Sequence, residues 1–100
     1  TGAASICDAL LAPTPGRLTF PVNRRLLSGG LSVSDDEVKA TMRYGFEELK
    51  LVMEPGGAVA LAALLHGRAP MSDLPVAVVV SGSNVDPALY AHILDEGAGA

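Results

Sequence analysis

The chain has few aromatic, basic and cysteine residues, and each shortage excludes a class of protein. Aromatic residues make up 4% of its 100 residues, and seven Lys or Arg stand against eleven Asp or Glu. The formal net charge of −4 argues against a nucleic-acid-binding or membrane-binding surface. The single cysteine, Cys7, cannot form an internal disulfide. This fits a reducing cytoplasm, and a small buried residue is favoured over a nucleophile.

Long hydrophobic runs, targeting signals and metal-ligand clusters are also missing. The longest uncharged apolar run, residues 56–65, is too short to cross a bilayer. The amino end has no basic residues before an apolar core, so we expect no signal peptide. Neither His66 nor His92 has other ligands at a suitable spacing, which predicts no metal site. Ser81 is not predicted to be a nucleophile, because it has no G-x-S-x-G motif around it and no base is suggested, so no catalytic set can be assembled from these residues.

Hydrophobic residues, in contrast, make up 49% of the chain. This is high for a domain of 100 residues, which has a large surface to cover with polar side chains. The excess predicts that part of the apolar surface is buried against something outside these residues.

The clearest helix signal begins at Ser34. Its spacing from Glu37 predicts a capping box, and Val33 and Val38 have the spacing of a hydrophobic staple. Apolar residues then keep helical spacing on one face as far as Met53. The sequence Glu-Pro-Gly-Gly at residues 54–57 predicts a break, followed by a helix over residues 58–65 that is apolar on every side.

Shorter elements surround these two helices. Residues 5–11 predict either a strand or a helical turn, residues 19–27 a short helix, and residues 31–33 a brief strand. His66 and Gly67 predict the end of the apolar helix. Residues 95–100 are expected to form a frayed tail.

A strand, a loop and a helix follow one another near the carboxyl end. Residues 76–80, Val-Ala-Val-Val-Val, predict a fully buried parallel strand. Asp86 before Pro87 predicts the start of a last helix over residues 87–94. Ligands of open α/β sheets bind beyond the carboxyl ends of such strands. The intervening loop, which includes Ser81 and Gly82, is therefore either a ligand site or only a turn.

Two segments carry a resemblance to a known family. Residues 54–62 (EPGGAVALA) and 78–86 (VVVSGSNVD) resemble the carboxyl-terminal part of the threonine/serine dehydratase and serine racemase family, whose cofactor is pyridoxal 5′-phosphate (PLP). Residues 5–10 (SICDAL), 15–21 (PGRLTFP) and 33–38 (VSDDEV) agree with the same family in order and spacing. The resemblance covers almost the whole chain.

The resemblance implies an α/β fold, with residues 1–100 as the carboxyl-terminal segment of a larger, cofactor-binding domain of fold type II. That domain has a parallel sheet flanked by helices. The parent enzyme would be a cytoplasmic homo-oligomer that deaminates threonine, serine or a related hydroxy amino acid to a 2-oxo acid and ammonia by β-elimination. Ser81 would hydrogen-bond the pyridine nitrogen of PLP, with Gly82 beside it and Glu54 near the cofactor. From the residues alone, Glu54 is equally well a solvent-facing carboxylate.

The chain also departs from the family. The resemblance implies that the Schiff-base lysine, the phosphate-binding loop and the metal ligands lie upstream of the counterpart of Thr1, and that neither Lys39 nor Lys50 matches the catalytic lysine. We therefore expect no catalytic residue in this chain and no activity from it alone. Ser83 stands where the family has glycine, which predicts backbone strain if that position needs a positive φ. In the serine racemase branch, positions matching Lys50 and Asn84 contribute to a nucleotide site.

Three alternatives remain open at this point. The chain is a non-catalytic packing or partner-binding module, or a small α/β domain that binds an unrelated ligand through the Ser81 loop. A third alternative keeps the family but changes the parent activity to that of a serine racemase or a 3-hydroxyaspartate eliminase.

Overall fold

A computed structural model describes residues 4–70 and 72–98, and within those residues every regular element is helical. The α-helices are α1 (Thr19–Leu26), α2 (Asp35–Tyr44), α3 (Pro55–Leu65) and α4 (Pro87–Ala98). A turn of 3-10 helix at Asp8–Leu10 precedes α1, and a π-helix at Gly45–Leu49 continues α2. In the described ranges, no helix combines the length and the apolar character needed to cross a membrane.

The start of α2 confirms the predicted capping box. The Ser34 side chain accepts a hydrogen bond from the backbone N–H of Glu37 (3.1 Å), and Glu37 Oε1 accepts one from the backbone N–H of Ser34 (2.8 Å). These two bonds satisfy donors that a helix start otherwise leaves unpaired. Val38 and Met42 on the inner face are buried, as the helical spacing predicts.

The predicted continuation of this helix to Met53 is wrong. After the π-helix, Lys50 adopts a left-handed conformation (φ 57°, ψ 38°) and turns the chain back on itself. The backbone N–H of Leu51 then donates to the carbonyl of Gly45 (2.9 Å), and the Met53 side chain packs against Gly45 where a Cβ would otherwise stand. Met53 thus reaches the core because the chain turns back at Lys50 and places its side chain on Gly45. The spacing of apolar residues along a helix cannot predict such a turn.

The helix α3 begins three residues earlier than predicted, at Pro55. Proline fits the first helical position because the N–H that it lacks would have had no partner there. Glu54 is the extended residue before it (φ −74°, ψ 160°). At the other end, Gly67 has a positive φ of 71°, which confirms the predicted glycine stop.

The core lies where α2, α3 and α4 meet. Its buried hydrophobic residues come from all three helices and from the segments before them: Cys7, Val38, Met42, Met53, Ala58, Leu61, Ala62 and Ile93. The helix α3 contacts both α2 and the 3-10 turn, and α4 contacts α2. The guanidinium of Arg43 also donates to the carbonyl of Ile93 (3.0 Å), which ties α2 to α4. The prediction that Cys7 is a buried small residue is confirmed.

Much apolar surface remains outside this core. All residues of α1 are exposed, and the helix contacts no other helix of the described chain. Beside it, Leu18 is 87% exposed and Leu26 is 69% exposed. The radius of gyration is 14.6 Å, above the roughly 13 Å typical of a compact domain of this length. This exposure agrees with the expectation that part of the apolar surface is buried against something outside these residues.

The predicted strands are not formed in the described residues. Residues 31–33 and 76–80 are irregular, and Val79 is 74% exposed where a buried strand was predicted. A strand needs a neighbour to pair its backbone groups, and the described residues supply none. The parallel sheet of the predicted α/β fold is therefore not shown by this chain.

The structure also decides the predictions for residues 5–11 and for residues 95–98. Residues 8–10 form a helical turn, so the alternative of a strand over residues 5–11 is wrong. Residues 95–98 belong to α4 rather than to a frayed tail, while residues 99–100 lie outside the described residues. Glu96 anchors this last turn, because its carboxylate pairs with His92 (2.8 Å) and with Lys39 of α2 (3.5 Å).

Candidate functional site

The Ser81 loop, residues 81–84, lies against the first turn of α3. The backbone N–H of Glu54 donates to the carbonyl of Gly82 (3.1 Å). Behind this bond, a Cβ on Gly57 would stand 2.5 Å from the Gly82 oxygen and 2.9 Å from its nitrogen. Only a residue without a side chain permits so close an approach between two backbones. The pairing of Gly57 with Gly82 therefore sets the distance between loop and helix.

The carboxylate of Glu54 lies on another side of Gly82. A Cβ at Gly82 would overlap Oε1 of Glu54, so any side chain here would displace the Glu54 carboxylate. Glu54 is half-buried, and its side chain makes no capping bond to α3. The carboxylate is thus held beside the loop instead of being used to cap the helix. Next to it, Ser81 is exposed.

The three residues singled out in the sequence are thereby brought together. Glu54 touches Gly82 through both its backbone and its side chain, and Ser81 precedes Gly82 in the chain. Of the two interpretations of Glu54, the structure favours a carboxylate turned toward the loop.

The far end of the loop is fixed by the start of α4. Asp86 Oδ2 accepts from the backbone N–H of Leu89 (3.0 Å), which confirms the predicted helix start at Pro87. A hydrogen bond from the N–H of Val85 to the carbonyl of Ser83 (2.9 Å) makes the preceding turn. Among the described non-glycine residues only Lys50 has a positive φ, so the condition for strain at Ser83 is not met.

The remaining polar candidates have structural partners. The imidazole of His66 lies 4.0 Å from Glu37, and that of His92 bonds Glu96. No group of three or more metal-ligating side chains occurs in residues 4–70 and 72–98. Burial raises the pKa of the Cys7 thiol, which disfavours the reactive thiolate. The Lys50 ammonium donates to the carbonyl of Glu47 (2.6 Å). The nucleotide site implied for Lys50 and Asn84 stays a prediction.

Sequence reasoning missed the structural role of Gly57. It treated residues 56 and 57 only as part of a helix break. A signal was nevertheless present, because glycine is among the least favourable residues inside a helix and two of them occupy the first turn of α3. Consecutive glycines in such a turn indicate that another backbone passes close by.

With this geometry in place, comparison with known proteins identifies the family. A profile described as "Pyridoxal-phosphate dependent enzyme" matches residues 1–82. The chain belongs to this family. Its enzymes use pyridoxal phosphate, as the resemblance implied.

Curated relatives refine this assignment. Phenylserine dehydratase from Ralstonia pickettii is 40% identical over 94 residues, which is 93% of this chain and 29% of the relative. Serine racemase from Dictyostelium discoideum is 37% identical over 93 residues, or 91% of this chain and 28% of the relative. L-threonine ammonia-lyase from Thermotoga maritima is 29% identical over 96 residues, which is 96% of this chain and 24% of the relative. The chain thus spans less than a third of the length of these relatives.

The site fits one edge of the family's cofactor. Gly82 offers a backbone surface without a side chain, and the exposed Ser81 hydroxyl beside it can donate or accept a hydrogen bond. The half-buried Glu54 carboxylate adds oxygens that can accept hydrogen bonds at the same place. These groups suit the contact with a polar heteroaromatic ring.

Proposed function

We propose that the chain is the carboxyl-terminal part of the larger domain of a PLP-dependent lyase acting on threonine, serine or a related hydroxy amino acid. The products would be a 2-oxo acid and ammonia, formed by β-elimination. The observation that carries this proposal is the backbone contact of Gly57 with Gly82, which brings Glu54 and the Ser81 loop together. The identity of 40% to phenylserine dehydratase supports the reaction class.

Each residue of the site then has a defined task. Ser81 would hold the pyridine nitrogen of PLP through its hydroxyl, and Gly82 would let the ring approach the loop backbone. Glu54 would take up and release a proton, or hold a water molecule by a hydrogen bond, at the edge of the ring. When bound, PLP supplies an electron sink for the α-carbon of the substrate. A hydroxyl partner supports ring protonation less than a carboxylate would, which suits elimination of a leaving group that removes negative charge quickly.

The first test uses the chain alone, incubated with PLP and treated with borohydride. Because no lysine of the chain matches the catalytic one, we expect no stoichiometric adduct at a single lysine and no turnover of serine. A single adduct together with turnover would contradict the assignment of this chain as a part of the enzyme.

The second test measures the role of Ser81 in a complete enzyme. The matched region of Ralstonia pickettii phenylserine dehydratase is replaced by this chain, and PLP affinity is titrated. A neutral hydrogen bond contributes about 1 kcal/mol, so Ser81→Ala should weaken PLP binding by up to about tenfold. Ser83→Ala, in the same exposed loop, is the matched control and should leave PLP affinity unchanged. Equal effects of the two variants would refute the role of Ser81.

The parent activity has an alternative within the family. The chain is 37% identical to a serine racemase, which favours racemisation as the second candidate. Supplying L-serine to the chimeric enzyme separates the two, because a dehydratase releases a 2-oxo acid whereas a racemase releases D-serine. A cytoplasmic location and a homo-oligomeric parent stay predictions of the resemblance.

A further inference from the structure

The 3-10 turn lies beside the candidate site, against the first turn of α3. A Cβ on Gly56 would stand 3.5 Å from Cγ of Leu10 and 3.7 Å from Cβ of Ala9. The next residue, Gly57, instead meets the backbone of Gly82. Successive residues of a helix point about 100° apart, so the 3-10 turn and the loop reach the start of α3 from two adjacent sides.

The 3-10 turn is anchored by α2 and by the core. Asp35 Oδ1 accepts a hydrogen bond from the Ser5 hydroxyl (2.5 Å), and Asp35 Oδ2 accepts one from the backbone N–H of Ile6 (3.2 Å). Cys7 is buried in the core, and its carbonyl accepts the N–H of Leu10 (2.9 Å). Packing and hydrogen bonds of this kind hold the side chains that give a site its specificity. The position of Leu10 is therefore fixed by the fold.

Leu10 presents apolar surface next to the polar groups of the site. It is 57% exposed, and Ala9 is exposed as well. An isolated exposed leucine needs no explanation, but this one borders the helical turn that begins after Glu54 and contacts Gly82. Small-molecule sites combine apolar walls with a few placed polar groups. Leu10 and Ala9 supply the apolar part of that combination.

The charges around the site have one sign. The 3-10 turn, the start of α3 and residues 81–84 together contain two charged residues, Asp8 and Glu54, and both are acidic. Basic residues with described partners are engaged outside these segments: Lys39, Arg43, Lys50 and Arg68. A carboxylate on the side chain of a substrate would therefore meet like charges. An alkyl or aryl group would instead bury apolar surface against the 3-10 turn.

We propose that Leu10 is a specificity-determining residue of this site, and that the substrate is a 2-amino-3-hydroxy acid whose β-carbon carries an alkyl or aryl group and no carboxylate. The apolar group packs on Leu10, and the side chains of Asp8 and Glu54 disfavour an acidic one. The contact of Leu10 with α3 at Gly56, one residue from the contact with the Ser81 loop, carries this assignment. The proposal rests on the proposed function for the reaction and narrows its class of substrate.

Kinetics test the role of Leu10 in the chimera that carries this chain in Ralstonia pickettii phenylserine dehydratase. A methylene group in an apolar pocket discriminates between substrates by roughly 10- to 200-fold, so Leu10→Ala should lower kcat/KM for phenylserine by at least about tenfold. The β-carbon of serine carries only its hydroxyl, so kcat/KM for serine should fall by less than about threefold. Leu11→Ala, at the next and also exposed residue, is the matched control and should change neither value. Equal losses for both substrates, or equal effects of the two variants, would overturn the role of Leu10.

Binding of L-phenylalanine supplies a measurement without turnover, because this amino acid lacks the leaving hydroxyl. In calorimetric titrations of the chimera, Leu10→Ala should raise the Kd of L-phenylalanine by at least about tenfold and that of L-alanine by less than about threefold. The melting temperature should stay within about 2 °C, because Leu10 is exposed. A lower melting temperature with equal losses for both ligands would make the role of Leu10 structural and would overturn the proposal.

A second host tests the class of substrate. L-threo-3-hydroxyaspartate ammonia-lyase from a Pseudomonas species is 36% identical to this chain over 91 residues. When this chain replaces the matched region, the ratio of kcat/KM for threonine to that for 3-hydroxyaspartate should rise by at least about tenfold over the unmodified host. An unchanged ratio would overturn the class of substrate alone. Two chimeras that bind PLP yet release no 2-oxo acid from any of these substrates would refute the proposed function, and the specificity proposal with it.

Discussion

The contact between Gly57 and Gly82 can be tested by one methyl group. In Gly57→Ala the new Cβ would stand 2.5 Å from the Gly82 oxygen, 2.9 Å from its nitrogen and 3.2 Å from its carbonyl carbon. All three are backbone atoms, so no side-chain rotation can relieve the overlap. The loop must move by several tenths of an ångström or more, which strains the hydrogen bond from Glu54 to Gly82.

The neighbouring glycine is a matched control. In Gly56→Ala the new Cβ would lie 3.5 Å from Cγ of Leu10 and 3.7 Å from Cβ of Ala9, which is ordinary van der Waals contact. Both substitutions replace a glycine in the first turn of α3, so both gain helix propensity, up to about 1 kcal/mol. The difference between the two variants therefore isolates the collision with the Ser81 loop.

The two substitutions should change the stability of the chain in opposite directions. Gly56→Ala should stabilise the chain by about 0.5–1 kcal/mol. Overpacking typically costs about 1–3 kcal/mol, so Gly57→Ala should be destabilising despite its gain in helix propensity. In urea denaturation followed by far-ultraviolet circular dichroism, we expect the two midpoints to differ by roughly 1 M or more. Equal stabilisation by both alanines would refute the close approach of the two backbones.

Two further predictions concern the core and the capping box. Met42→Ala removes a fully buried side chain and should cost about 2–5 kcal/mol in urea denaturation, whereas Leu18→Ala, at a position 87% exposed, should change the stability by less than about 0.5 kcal/mol. Similar costs would contradict the core assignment. The backbone hydrogen bond from Ser34 lowers the pKa of Glu37 below its ordinary value of 4.5, so the stabilisation from ionised Glu37 is present above that pH and is lost as the pH falls through the lowered pKa. Glu37→Gln should therefore reduce the loss of the urea midpoint on acidification, and an unchanged acid dependence would contradict this linkage.

Local patterns in the sequence predicted the ends of helices well. The capping box of Ser34 and Glu37, the glycine stop at Gly67 and the start of α4 after Asp86 all form as expected. Each of these features depends on residues within one helical turn, where short-range hydrogen bonds determine the conformation. The sequence contains everything that such a feature needs.

Features that depend on distant residues were predicted less well. The π-helix and the left-handed Lys50 arise because Met53 folds back over Gly45 to reach the core, and no helical periodicity contains that information. The predicted strand at residues 76–80 fails for a related reason. Its β-branched composition is correct for a strand, but pairing requires a neighbour that the described residues do not supply.

The candidate site lies between these two cases. The separate segments around Glu54 and Ser81 were identified from their residues, whereas their contact depends on the absence of a side chain at Gly57, where a Cβ would overlap the backbone of Gly82. This backbone contact also leaves room for a serine at position 83. The loop is located by the bond from Glu54 to Gly82 and by the turn into α4, and neither depends on the side chain at position 83. The position of the Ser81 hydroxyl should accordingly be sensitive to Gly57 in α3 and insensitive to its close neighbour Ser83.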